Sequence, residues 1–375
     1  MSFRRRSTPL SSTSTSTFPS PSSPGIRPSP TSGIPITSTG TPSLDALLTP
    51  HTGLAVGTSL LIEENGVTDF AGALLRYYAA EGVVQGHVVH VVGTGQGWGR
   101  ELPGLVGGIG GDGGREEGEG GKMKIAWRYE RLGEGGGLRD AAPPTPNRGS
   151  KPPDPGRPEP ANPVPFCHTF DLTKRLSLPP GTSINYIPVS PTSNPYQAII
   201  TTLSHSLTTT PQHTIHRLII PTLFSPALYP PDSSTPTHLL PFLHTLRSLL
   251  RTHSTRLTAM LTLPLSLHPR NTGLVRWIEH LSDGVLELVP FPHTIELEPA
   301  GKGGDLEKPQ GMAKVHKLPV VTEKGGGGGG GDELAFSLSR RRFVIKKFSL
   351  PPVEGDQEAQ RGEVEGGKVK VDVEF

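Results

Sequence analysis

The segment SLLIEENGVTDFAGALLRYYAAEG, residues 59–82, has the layout of a phosphate-binding loop: an apolar strand, a short turn, then an amphipathic helix. A working loop of this kind needs glycines in the turn, so that backbone N–H groups can wrap the phosphates. It also needs a lysine on the β- and γ-phosphates and a serine or threonine on magnesium. Laid on this chain, the Gly-Lys-Thr triplet falls on Asp69, Phe70 and Ala71. A carboxylate stands beside the expected phosphates and a phenylalanine replaces the lysine. No lysine lies between Ser59 and Arg100, so a shift of one or two residues restores nothing. The reading is a phosphate-loop scaffold without its chemistry, and no catalytic residue is assigned.

Other reactive residues have plainer readings. Glu63 and Glu64 are adjacent on a strand and point to opposite faces, so they are expected at a solvated or capping strand end rather than as a catalytic pair. Asp69 is expected to cap the helix that follows. His87 and His90, and His213 and His216, have metal-like spacing, but i and i+3 on a strand face opposite sides and neither pair has a third ligand; no metal site is assigned. The run Gly325–Gly331 reads as a linker, because no strand precedes it and no Lys-Ser/Thr follows. Cys167 is the only cysteine, which excludes a disulfide framework or zinc cluster and fits a reducing compartment.

The elements that must position these residues are legible in blocks. Glycine (47) and proline (41) make up nearly a quarter of the 375 residues and cluster in segments, while hydrophobic residues are 33% and concentrate in runs. Residues 1–35 are expected to form a disordered Ser/Thr/Pro-rich arm, 36–352 a single domain, and 353–375 a charged flexible tail. Disordered insertions are expected near 95–121, 134–165, 299–310 and 323–333. Buried strands are expected at LLIE, HVVHVVG, INYIPV, RLIIPTLF and LTAMLTLPLSL, alternating with helices at 69–81, in NPYQAIITTLSHSL with Asn194 as cap, in THLLPFLHTLRSLLRTH and in NTGLVRWIEHLSD. GVLELVPF, GMAKVHKLP and LAFSLSRRRFVIKKFSL read as strands without intervening helices. The fold class is therefore α/β, a mostly parallel sheet flanked by helices with C-terminal antiparallel strands. Net charge is +2 and no apolar run reaches the ~18 residues that span a membrane. The basic, Ser-rich N-terminus lacks the apolar stretch of a secretory signal. No membrane partner is expected, and the compartments expected are cytoplasm and nucleus.

The stretch STGTPSLDALL…GLAVGTSLLIEE resembles the opening of RecA-type ATPases, on Thr39, Gly40, Leu44 and Asp45, then Gly53, Leu54 and Gly57. That resemblance implies a metal-holding aspartate at the end of LIIPTLFSP, where this chain has Pro221, and a water-activating glutamate after VVHVV, where it offers Thr94 or Gly95. With TSTGTPSLDALL, LRYYAAEG, MKIAWRYERL, FCHTFDLTKRL, RLIIPTLFSPALYPP, RWIEHLSDGVLEL and KPQGMAKVHKLP, the chain is similar to the family of the fourth subunit of the Elongator complex. The resemblance implies a RecA-like fold and a heterohexameric ring with Elongator subunits five and six. It further implies service to the Elongator catalytic subcomplex, tRNA binding, and support of C5 modification of wobble uridine. The chain itself is expected to be no enzyme and to hold no cofactor, with ATP hydrolysis confined to the ring. Arg340, Arg341, Arg342, Lys346 and Lys347, with Lys314, His316 and Lys317, are candidates for one basic strip on tRNA phosphates; a charged, solvated edge strand is the alternative. Arg4–Arg6 could add unspecific attraction. An NTPase with an unconventional nucleotide site and a DNA recombination-mediator-like paralogue remain alternatives.

Overall fold

The computed structural model describes residues 23–106, 164–178, 181–182, 184–189, 194–292, 308–320 and 333–348. The chain divides into two units, Met1–Val106 with Val164–Phe375, and Gly107–Pro163; every described residue belongs to the first. Arg4–Arg6, Gly325–Gly331 and the tail at 353–375 lie outside the described residues.

From the N-terminus, β1 (Ile26–Pro28), β2 (Pro35–Thr37) and β3 (Leu54–Ala55) form a small antiparallel sheet, with helix α1 (Pro42–Leu47) between the last two. β4 (Ser59–Glu64), α2 (Phe70–Val84) and β5 (Val88–Val92) follow. A short helix, α3 (Gln96–Gly99), leads to β6 (Pro103–Leu105), which pairs antiparallel with β7 (Phe170–Arg175). The alternation continues through β8 (Ile184–Ile187), α4 (Gln197–Thr209), β9 (His216–Ile220), α5 (Pro236–Thr252), β10 (Leu257–Pro264), α6 (Gly273–Leu281) and β11 (Gly284–Pro290). β12 (Gly311–Lys317), β13 (Leu334–Leu338) and β14 (Phe343–Lys347) complete the described chain.

Nine strands pair in the order β14-β13-β12-β11-β4-β10-β9-β5-β8. From β11 to β8 every pairing is parallel, and β12, β13 and β14 run antiparallel. The expected mostly parallel sheet flanked by helices, with antiparallel C-terminal strands, is what the described chain forms. Successive side chains alternate faces. Leu60, Ile62, Val89, Val91, Ile219 and Met260 pack under Leu74, Leu75 and Tyr78 of α2. Leu61, Leu218, Ile220, Ala259 and Leu261 pack on the other face against Ile199, Leu203, Phe242, Leu246, Val275 and Ile278 of α4, α5 and α6. Helices on both faces explain why the parallel strands are nearly continuous apolar runs.

Four expectations change. The arm was expected to run to residue 35, yet backbone pairing begins at Ile26 opposite Thr37, and Ser29 Oγ lies 2.8 Å from His51 Nδ1. α3 and β6 occupy the first part of the insertion expected near 95–121, and the rest of it lies outside the described residues. Asn194 does not cap α4: its Oδ1 accepts from Tyr196 N–H at 3.1 Å, in the turn before the helix. GVLELVP is not the first strand of the meander; α6 carries it back to lie parallel beside β4.

The motif TSTGTPSLD fastens the N-terminal segment to α2. Asp45 accepts from Ser38 Oγ at 2.5 Å, Thr39 N–H at 2.8 Å and Thr39 Oγ1 at 2.7 Å. Gly40 turns at φ 77°, where a Cβ would collide with the Tyr77 carbonyl oxygen. Buried Arg217 closes the clasp, donating to the carbonyls of Ser38 and Tyr78, to Thr37 Oγ1 and to His87 Nδ1.

Candidate functional site

The turn between β4 and α2 is the segment whose sequence has the layout of a phosphate-binding loop. β4 ends in Glu64, and the chain turns over Asn65–Asp69 before α2 begins at Phe70. The first N–H groups of a helix have no partners within it and carry the positive end of its dipole. Here they point at Glu64. One carboxylate oxygen accepts from Phe70 N–H at 2.9 Å and from Thr68 Oγ1 at 2.6 Å; the other accepts from Ala71 N–H at 2.9 Å. Glu64 is 6% exposed, and burial holds its pKa above the usual carboxylate value against the pull of those donors.

The residues expected to mark the site divide accordingly. Asp69 stands at the cap position but makes no side-chain cap hydrogen bond; its carboxylate pairs with Arg76 at 2.7 Å. The expected capping role belongs to Glu64, whose longer side chain reaches forward from the strand. Phe70, at the lysine position, meets Phe336 of β13 edge-on with ring centroids 4.8 Å apart. Ala71 is buried. Pro221 is buried at the end of β9, and the next residue, Thr222, takes φ 40° and donates its N–H to Thr262 Oγ1 at 2.7 Å. Thr94 follows β5 and its hydroxyl is buried without a partner. Only about 40 Å³ is left between Glu64, Thr68, Ala71, Thr222, Thr262 and Pro264, space for a few waters at most.

Glu63 does point to the face opposite Glu64, but it is not solvated. It is fully buried, 3.5 Å from Arg270, which binds Glu279 at 2.6 Å and lies 3.9 Å from Glu287. Glu287 in turn contacts His316 at 2.7 Å. Burial first, then repulsion from Glu279, pushes the Glu63 pKa up to about 8; Arg270 opposes this and Glu287 adds to it.

The histidine spacings hid a different pairing. His90 of β5 and His216 of β9, one from each i,i+3 spacing, stack with His90 Nε2 3.0 Å from His216 Nδ1. Burial lowers His90 to about 4; burial and the neighbouring His90 lower His216 to about 3. The strands are adjacent in space and distant in sequence, so i,i+3 counting could not find the pair. Cys167 is half-buried, and burial pushes its thiol up to about 12.

The basic residues do not form one strip. Arg340, Arg341 and Arg342 are exposed at the β13–β14 turn, which Ser339 and Arg342 close with Ser339 N–H to the Arg342 carbonyl at 2.9 Å. They share a groove of about 600 Å³ with Val106, Thr169, Phe170 and Asp171, and Leu172 N–H donates to the Arg341 carbonyl at 2.9 Å. Lys346 and Lys347 sit at the other end of the hairpin, opposite Ala335 and Leu334. That is roughly 15 Å away at strand rise. Lys314 is exposed in mid-strand, while Lys317 donates to the carbonyls of His280 and Ser282, and His316 is held by Glu287.

The PAXNEB protein family matches residues 19–375. Elongator complex protein 4 of Schizosaccharomyces pombe is 31% identical over 384 residues, covering 95% of this chain and 94% of that protein. The Saccharomyces cerevisiae protein of the same name is 27% identical (87% and 76% covered), and the Homo sapiens one 29% identical (94% and 85% covered). Among solved structures, a KaiC-like protein of Pyrococcus horikoshii aligns over 84% of this chain and 99% of its own at TM-score 0.40 and 13% identity, too loosely to carry an argument. The chain belongs to the PAXNEB family, the family of Elongator complex protein 4.

Proposed function

We propose that this chain is a non-catalytic, RecA-like subunit of the Elongator complex. It forms a heterohexameric ring with the fifth and sixth subunits, binds tRNA and supports C5 modification of wobble uridine by the catalytic subcomplex. It acts in the cytoplasm and nucleus. The observation that carries the reading is similarity along nearly the whole chain to proteins named Elongator complex protein 4. The packing of Phe70 on Phe336, at the position a nucleotide-binding lysine would take, supports the non-catalytic part.

The exposed arginine turn supports the tRNA part. Phosphate contacts supply most sequence-independent nucleic-acid affinity, and three adjacent exposed guanidinium groups beside an open groove suit them. The test is deletion of the gene followed by mass spectrometry of tRNA nucleosides. Loss of C5-modified wobble uridine, restored by the intact gene, is the expected outcome; unchanged nucleosides would sink the reading.

A further inference from the structure

α5 and α6 pack side by side on one face of the sheet, each returning the chain from the end of one parallel strand to the start of the next. α6 buries Val275, Ile278 and Leu281, and that register turns Arg276, Trp277 and His280 outward. α5 buries Leu243, Leu246 and Leu250, leaves Arg247 and Arg251 on its outer side, and contains no acidic residue. Trp277 is 52% exposed, and it is the only exposed Trp, Phe or Tyr among the described residues. Its ring meets that of His280 edge-on, with centroids 5.9 Å apart. Cations gather beside it. Lys317 donates to the carbonyls of His280 and Ser282 and lies close to Arg247 and Arg251. Asp283 stands among them and binds Arg251 at 2.6 Å. Burial lowers the Lys317 pKa, Asp283 opposes this, and the two arginines add to the lowering. Like charges are thus held together with one carboxylate between them.

A cation cluster short of counter-charge favours a polyanion, and an exposed indole favours a flat π-system. Unpaired nucleotides carry both. We propose that the α5–α6 face is a stacking site for unpaired RNA, with a splayed base laid on Trp277 and the adjoining phosphate on Arg247. Duplex bases are already stacked on one another, so this site takes loops and single strands, in any sequence. A protein partner suits the face less well. The core of a protein interface is depleted of charge, whereas Trp277 stands between Arg276 and the cations of α5. Lys317 is a positioning residue here: its ammonium holds the last carbonyls of α6, where the helix dipole welcomes a cation. The proposal rests on the RNA-binding reading above and adds to it a second site, different in chemistry from the arginine turn.

The test titrates the full chain with a labelled, unstructured RNA of about ten nucleotides and with a duplex of the same length, across a salt series. The wild type is expected to bind both. Trp277→Ala should weaken single-strand binding roughly tenfold and leave duplex binding and the salt slope unchanged. Trp277→Phe should keep most of the single-strand affinity. Arg247→Ala should lower the single-strand salt slope by roughly 0.7. If the alanine variant at 277 does not fold, Arg247→Glu carries the test, with loss of single-strand binding and duplex binding kept. Unchanged single-strand affinity in these variants, or equal weakening of single strand and duplex, overturns the proposal. So does a wild-type chain that binds no single strand. A Trp277→Ala chain that keeps its RNA affinity but no longer assembles with its partner subunits would make the face a protein contact instead. The nucleoside test above reads the deleted gene and not this face, so the two failures are distinguishable.

Discussion

A buried carboxylic acid and three buried histidines set opposing demands on pH. Glu63 has its folded pKa raised from 4.5 to about 8, so the stability it contributes is fully present below 4.5 and is lost as pH rises through 8. His87, His90 and His216 are bases lowered to about 3, 4 and 3, so the unfolded chain takes up protons below 6.5 that the folded chain refuses. Their contribution is present above 6.5 and is lost as pH falls toward 4. Between 4.5 and 6.5 the three histidines outweigh the single glutamate, and above 6.5 only Glu63 is left. Stability from these groups should therefore peak near pH 6.5, measured by urea unfolding from pH 5 to 9. Glu63→Gln keeps the neutral side chain at every pH and should flatten the alkaline limb, leaving the variant more stable than wild type at pH 9 by roughly a few kcal/mol. A wild type whose alkaline limb is already flat would contradict the assignment. The opposite facing of Glu63 and Glu64 was readable from strand geometry alone. Their burial was not, because the partners that enclose Glu63 come from Arg270, Glu279 and Glu287, some two hundred residues along the chain.

At the scale of elements, the apolar runs and the 3.6-residue periodicity were enough to find the main strands and helices, because each buries one face or both. Cap chemistry was less legible. Asn194 and Asp69 both stand where a capping side chain is expected, yet Asn194 serves a preceding turn and Asp69 pairs with Arg76, since a better-placed oxygen on Glu64 reaches the N–H groups of α2. The β13–β14 hairpin splits the basic residues for a simple reason: two antiparallel strands put turn residues and terminal residues at opposite ends. RNA binding should follow the turn. Arg340→Ala and Arg341→Ala should weaken tRNA binding about equally across tRNA sequences and reduce the slope of log affinity against log salt by about one per lost phosphate contact. Lys317→Ala should leave the slope unchanged, because its ammonium is already spent on the carbonyls of His280 and Ser282. Filter binding across a salt series separates the two, and equal effects from Lys317 and Arg340 would argue against a turn-centred contact.

The whole molecule is organised by strand order, which no local pattern announces. The parallel β4 and β10 are neighbours although nearly two hundred residues separate them, and β11 reaches the other side of β4 only because α6 crosses back over the sheet. The alternation of strands and helices pointed to a mostly parallel sheet; periodicity alone would have allowed several strand orders. β6 and β7 are joined by pairing of Leu105 with Phe170 and by Val106 N–H to the Thr169 carbonyl at 2.9 Å. The described strands on either side of Gly107–Pro163 in the sequence are thus held together by their own pairing. Closing a loop costs an entropy that grows only with the logarithm of its length, about 0.6 kcal/mol for each doubling. Replacing Gly107–Pro163 by a short Gly/Ser loop should therefore preserve the fold and stabilise it modestly, by about 1–2 kcal/mol in urea unfolding. A large loss of stability would mean that the stretch contributes to the core that the β6–β7 pair closes.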